Sequence, residues 1–198
     1  MNNVGRDDNR FVQELLQGGV VAFPTETVMG LGVIFDNKEA YEKLNIIKGR
    51  PEDKPYTMML SNIDDIKNYA YVNERDAKII KEFMPGPLTV LLKAKENVPT
   101  WVTHGTGIIG IRVPDFKIIQ ELLYKVKKPL LVPSANPSGK SPAKNVFEVT
   151  IYFGETLNYI YDYNALGKAP STIVDLTDST VKLVRKGDIP VELISKII

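Results

Sequence analysis

Short apolar runs of strand type and stretches of helical period interleave along these 198 residues, but they do not alternate strictly. That irregular order constrains the fold more than any other feature. A regular strand–helix repeat would lead to an all-parallel sheet. An irregular one calls for a mixed sheet carrying helices. Val20-Val21-Ala22-Phe23 reads as a strand stopped by Pro24, and residues 30–35 form a second. Further strands are predicted over residues 56–60, 88–92, 107–113, 130–132, 159–161, 172–176 and 181–184.

Helical period appears over residues 7–17, with Phe11, Val12, Leu15 and Leu16 on one face and Gly18-Gly19 as the stop. It returns over 38–48, ended by Gly49 and Pro51, which leaves residues 50–55 on a loop. Asn73 is an N-cap for a helix through Ala77, Ile80 and Phe83, and residues 116–126 form an amphipathic helix. Residues 146–153 are read as helix, and a short helix is expected from Val191. The expected class is α/β (α+β): a twisted, mixed β-sheet with flanking helices, in a single domain spanning residues 1–198.

Composition removes several classes of chemistry. Without cysteine there are no disulfides and no thiolate zinc sites, and the reading is cytoplasmic. His104 is the sole histidine, so the usual hydrolytic pairs are missing; a surface or hydrogen-bonded role is expected for it. No apolar run approaches the roughly 20 residues a membrane span needs, and residues 1–10 carry no secretory apolar region. A formal charge of +1 argues against coating nucleic acid by bulk charge, while leaving room for a local basic groove.

Polar residues cluster where strands end. Lys48, Arg50 and Lys54 can converge on phosphate oxygens, Arg by a fork and Lys as a point charge; a solvated basic turn is the ordinary alternative. The hydroxyls of Thr25 and Thr27 can hold a small ligand, and Glu26 an ammonium or a metal, against plain turn chemistry. Ser134 and Asn136 follow a buried strand and face one way if the strand continues. In α/β sheets ligands collect at such strand ends. Arg112, inside an apolar strand, needs an anionic partner or an exposed face, and Arg185 ends a late strand with the same ambiguity. Ser171 reads as a strand start, and Trp101, Tyr159, Tyr161 and Tyr163 as packing residues.

The order of these segments carries more than any one of them. Phe23-Pro24-Thr25-Glu26-Thr27-Val28-Met29-Gly30-Leu31-Gly32, then Ile47-Lys48-Gly49-Arg50-Pro51, resembles the YrdC-type family of threonylcarbamoyl-AMP synthases. Pro85-Gly86-Pro87-Leu88-Thr89, Gly110-Ile111-Arg112-Val113-Pro114, Pro133-Ser134-Ala135-Asn136, Ser171-Thr172-Ile173-Val174-Asp175-Leu176 and Val184-Arg185-Lys186-Gly187 continue the likeness in the same order.

The resemblance implies a YrdC-like fold around a basic concave groove. It also implies an enzyme, a nucleotidyltransferase, that makes L-threonylcarbamoyl-adenylate and pyrophosphate from ATP, L-threonine and bicarbonate or CO2, with Mg2+ accompanying ATP. The product would serve the t6A modification of tRNA. By the same resemblance Lys48 and Arg50 are the catalytic pair. Thr25, Thr27, Arg112, Ser134 and Ser171 would bind threonine. Lys48, Arg50, Lys54, Asn136, Ser141 and Arg185 would bind the nucleotide, and no protein metal ligand is implied. Met29 stands where the family usually has tyrosine, Met59 where many members have histidine, and Ile108 where a polar residue is common. The expected partners beyond the substrates are tRNA or RNA at the groove and a threonylcarbamoyl transferase, with no membrane. The alternative function is a double-stranded RNA- or nucleotide-binding module without synthase activity. An O-carbamoyltransferase would need zinc-finger cysteines that are absent.

Overall fold

Along the second strand side chains alternate between two separate cores: Val21 and Phe23 pack on one, Ala22 on the other. That period-2 split is what a strand buried on both faces must show. The computed structural model describes residues 3–49, 55–167 and 169–197. Strand β1 (Val4–Gly5) leads into α1 (Asp8–Leu16), β2 (Val21–Phe23), β3 (Gly30–Ile34) and α2 (Lys38–Lys48). After β4 (Thr57–Met59) come a 3-10 turn at Ile63–Asp65, α3 (Ile66–Tyr69) and α4 (Glu74–Phe83). The middle holds β5 (Leu88–Lys93), α5 (Thr100–Thr103), β6 (Ile108–Arg112), α6 (Lys117–Val126) and β7 (Leu130–Val132). Helix α7 (Val146–Phe153), a 3-10 turn at Gly154–Thr156, β8 (Tyr159–Tyr161), β9 (Thr172–Asp175), β10 (Lys182–Arg185) and α8 (Val191–Ser195) follow.

Among the described residues the strands form one ten-stranded sheet in the order β1-β8-β2-β3-β7-β4-β6-β5-β9-β10. Pairing is mixed: β2–β3, β3–β7, β4–β7, β5–β6 and β9–β10 are antiparallel, and β1–β8, β2–β8, β4–β6 and β5–β9 are parallel. One face is covered by α1 and α6, whose Phe11, Leu15, Ile119 and Leu122 meet Val21, Phe23, Leu130 and Tyr159. The opposite face carries the larger core, where Leu44 of α2, Ile79 of α4 and Phe153 of α7 meet Ala22, Leu31, Val33 and Leu131.

Caps set the helix limits. Asp7 accepts from the amides of Asn9 and Arg10 at 2.9 and 3.1 Å, and Asn37 from Ala40 at 2.9 Å. Gly49, left-handed at φ 55°, ends α2, where a side chain would be strained. Asn145 accepts from the Glu148 amide at 2.8 Å, and the Glu148 carboxylate accepts from Asn145 Nδ2 at 3.0 Å and from the Lys144 amide at 2.7 Å, which fixes the start of α7.

Several elements differ from the sequence expectation. Residues 4–5 are polar in setting yet form β1, because β8 pairs with them from across the chain and Asn3 Nδ2 donates to the Leu157 carbonyl at 2.9 Å. The 3-10 turn at Ile63–Asp65 and the four-residue helices α3 and α5 lack the length that makes helical period visible. Strand β10 starts one residue later than expected and carries a bulge between Leu183 and Arg185.

Gly32 shows how tightly the first face is packed. A Cβ there would sit 2.6 Å from a Phe23 ring carbon. Gly32→Ala is expected to lower stability in chemical denaturation by about 1–3 kcal/mol. Combining it with Phe23→Leu should give less than the sum of the two single losses; strict additivity would show that no such contact exists.

An acid-sensitive network ties α1 to α6 and β8. Asp8 pairs with the Lys125 ammonium and accepts from the Tyr161 hydroxyl at 2.7 Å. The hydrogen bond from Lys125, then that from Tyr161, holds the Asp8 carboxyl below the usual aspartate value. A lowered folded-state pKa stabilises fully above the unfolded value and is lost as pH falls through the folded one. Asp8→Asn is therefore expected to flatten the acid limb of the stability–pH curve below about pH 4. Superimposable acid limbs would mean that the network adds nothing.

Candidate active site

Strand register assembles the site. Met59 pairs with Arg112, Thr89 with Ile173, and Ile173 with Arg185. Arg112 continues the antiparallel register one step past Val90–Ile111, which sets it opposite Thr89. One row across β4, β6, β5, β9 and β10 thus carries Met59, Arg112, Thr89, Ile173 and Arg185, and all five line a cavity of about 140 Å3. The site therefore lies on a sheet face, and not at a mouth of strand C-termini: residues from strand starts and strand ends meet there because neighbouring strands run both ways. The bulge in β10 matters here, since an extra residue re-aims the next side chain. Arg185 Nε donates to the Ser171 carbonyl at 3.0 Å and Nη2 to Ser171 Oγ at 2.9 Å.

The turn after β2 supplies the opposite wall. Thr25 and Thr27 are buried with Oγ1 atoms 2.8 Å apart, and Thr25 Oγ1 donates to the Val28 carbonyl at 2.7 Å. Arg112 Nη1 donates to Thr27 Oγ1 at 3.1 Å. Ser171 Oγ lies 2.9 Å from Thr89 Oγ1. Two glycines let backbone close on these segments. A Cβ on Gly167 would lie 2.5 Å from the Glu26 and Thr27 carbonyls, and one on Gly187 2.3 Å from the Thr172 nitrogen.

Arg112 is 6% exposed, and its Nη2 lies 2.7 Å from Glu26 Oε1. The distance is that of a hydrogen bond but the alignment is not, so the contact is an ion pair, and Nη2 is closed off from solvent without an aligned acceptor. Glu26 Oε1 also accepts from the Asp115 amide at 3.0 Å. The anionic partner that Arg112 required is therefore Glu26, which the sequence offered as an ammonium or metal ligand. Arg185 is exposed as a residue, with its head group against buried Ser171. Burial first, then the nearby Arg112 cation, holds its guanidinium below the usual arginine value.

Lys48 stands apart from the cavity lining. It is 2% exposed, and its Nζ donates to the carbonyls of Ser134 and Asn136 at 2.6 and 2.7 Å. The Ser138 amide returns a bond to the Lys48 carbonyl at 2.9 Å. Ser134 and Asn136 do face one way, Ser134 Oγ donating to Asn136 Oδ1 at 2.6 Å. Asn136 Nδ2 donates to the carbonyls of Pro137 and Lys140, both at 2.9 Å. Ser134 lines the cavity; Asn136 and exposed Ser141 do not. Arg50 and Lys54 lie outside the described residues. His104 Nε2 lies 2.7 Å from the Tyr41 hydroxyl, the hydrogen-bonded role expected of it. Thr57 and Thr89, not singled out on chemical grounds, are among the added cavity residues; a lone threonine within a strand gives no signal by itself.

The Sua5_yciO_yrdC family model, described as telomere recombination, matches residues 13–187. A Methanocaldococcus jannaschii protein named putative threonylcarbamoyl-AMP synthase is 36% identical over 188 residues, covering 93% of this chain and 87% of its own. A Pyrococcus abyssi threonylcarbamoyl-AMP synthase is 35% identical over 185 residues, and this chain spans 54% of its length. The solved structure of P. abyssi Sua5 complexed with L-threonine matches at TM-score 0.92 and 32% identity, over 98% of this chain and 60% of that one. E. coli YciO matches at TM-score 0.88 and 28% identity, over 96% of each chain. With a family model spanning most of its length and relatives above 30% identity, this chain belongs to the Sua5/YciO/YrdC family.

Proposed function

We propose that this protein is an L-threonylcarbamoyl-adenylate synthase, joining ATP, L-threonine and bicarbonate or CO2 and releasing pyrophosphate. The observation that carries this reading is the cavity. It is sized for a small amino acid and lined by Thr27, Arg112 and Ser171, in a chain similar to a threonine-bound relative over nearly its whole length. Hydroxyls suit a hydroxyl-bearing ligand, and a guanidinium suits its carboxylate.

The chemistry requires no nucleophilic side chain. Threonine's amine takes up CO2 and loses a proton to give a carbamate. A carbamate oxygen attacks the α-phosphorus, and the bond to the bridging oxygen breaks as pyrophosphate leaves. Catalysis then rests on alignment and on neutralising phosphate charge. In this reading Thr25, Thr27, Arg112, Ser134 and Ser171 hold threonine. Lys48, Arg50, Lys54, Asn136, Ser141 and Arg185 attend to the nucleotide. Lys48 also braces the 134–136 turn from behind through its two carbonyl contacts.

Mg2+ would arrive as part of the ATP complex, since hard phosphate oxygens are its natural ligands. Among the described residues no cluster of three acidic or histidine side chains offers a protein-built cage. The adenylate would feed tRNA modification in the cytoplasm through a transferase, with tRNA or other RNA meeting the basic side of the groove. Among the described residues no helix is long and apolar enough to cross a membrane.

Pyrophosphate release with Mg2+, ATP and bicarbonate is expected to require L-threonine and to fall sharply with L-serine. Release indifferent to threonine, or none from folded ATP-binding protein, would overturn the reading. Lys48→Ala and Arg50→Ala are each expected to lower adenylate formation at least ~100-fold; near wild-type turnover in both would sink the pair. Thr27→Val, which keeps shape and removes the hydroxyl, should raise the threonine KM about tenfold and leave the ATP KM alone, as steady-state kinetics would show.

A further inference from the structure

Glu26 is a largely enclosed acid that the reaction above does not use. Its side chain is 13% exposed and its Oε2 has neither solvent contact nor a partner. A metal or ammonium ligand would need that oxygen open. What Glu26 does touch is specific: Arg112 Nη2 at 2.7 Å and the Asp115 amide at 3.0 Å, in the lead-in to α6. Its neighbour Thr27 receives Arg112 Nη1 at 3.1 Å. One short turn therefore grips the guanidinium at two nitrogens and is itself anchored to the segment following Arg112.

A buried ion pair is a poor way to gain stability, because desolvation offsets the attraction. Nor is this pair arranged to exhaust the donors of Arg112. Of the five guanidinium N–H groups, one on Nη1 is bonded to Thr27, and those on Nε and Nη2 are closed off from solvent without an aligned acceptor among the described residues, so the second Nη1 hydrogen is the donor left over. Arg112 nonetheless lines the cavity. The arrangement restrains the head group and leaves the second Nη1 hydrogen beside Thr27 as the donor it can offer, as a preset binding group would.

We propose that Glu26 is the positioning residue of the amino-acid subsite: anchored by the Asp115 amide, it fixes the Arg112 guanidinium so that Arg112 and Thr27 meet the ligand as one preset unit. For the ligand's identity this rests on the synthase reading. Glu26 acts through Arg112 and touches no substrate atom.

The test compares Glu26→Ala, Glu26→Gln and Glu26→Asp in threonine KM, ATP KM and the Nε–H nuclear magnetic resonance signal of Arg112, assigned by its loss in Arg112→Lys. Glu26→Ala is expected to raise the threonine KM at least about tenfold, keep the ATP KM within about twofold and broaden the Arg112 signal away. Gln preserves length and the acceptor for the Asp115 amide but loses the charge that pairs with Arg112, so it should restore part of the threonine KM and of the signal. Asp, one methylene short, should behave like Ala. Threonine and ATP KM moving together, Gln and Asp proving equivalent, or an unchanged Arg112 signal in all three would overturn the proposal. If Glu26→Ala does not fold, the Gln–Asp comparison decides on the same criteria. A wild-type protein that releases no threonine-dependent pyrophosphate would refute the synthase reading, and the Arg112 signal would still decide whether Glu26 holds the guanidinium.

Discussion

A sheet buried by helices on both faces can receive a ligand only where one face is left uncovered. Here α1 and α6 close the first face over β2, β3, β7 and β8. Beyond Met59 and Val132 the same face turns into cavity wall, carried by β6, β5, β9 and β10. Everything chemical in the molecule follows from that boundary. The apolar half fixes strand register through interdigitated side chains, and register then decides that Arg112, Thr89 and Arg185 share a row with Met59 and Ile173. A slip of one residue would turn that row to the opposite face.

Charge in the site is graded, not simply basic. Glu26 neutralises Arg112 across 2.7 Å, so this end suits a ligand that needs oriented donors. Arg185 rests on Ser171 with no carboxylate partner among the described residues, so net positive charge remains at its end. Lys48 lends its ammonium to two carbonyls of the Ser134–Asn136 turn and thereby joins α2 to the segment after β7. An amino acid at the Arg112 end and phosphates towards Arg185 is the arrangement that such a gradient favours.

Much of this was legible in the sequence because its signals are local. Asn73 and Gly49 mark helix ends by chemistry that acts within a turn, and α2 and β7 fall where the pattern sets them. Helix α7 was read as helix from residues 146–153, and the structure adds what fixes it, the bonds of Asn145 and Glu148 at its start. What escaped depends on partners far along the chain. Strand β1 exists only because β8 is there to pair with it. The need of Arg112 for an anion was visible, but that Glu26 would meet it depends on how the turn after β2 lies beside the end of β6. The placement of Arg185 turns on a single-residue bulge, which no alternation pattern announces.

The most direct measurement is calorimetric titration of L-threonine against L-valine, which has the same shape with a methyl in place of the hydroxyl. A cavity walled by the hydroxyls of Thr25, Thr27, Thr89 and Ser171 sets a methyl against polar atoms when the ligand hydroxyl is gone. The account predicts valine to bind at least about 100-fold more weakly than threonine. Equal affinity for the two would mean that the cavity reads shape alone, and would contradict the assignment of these side chains to threonine.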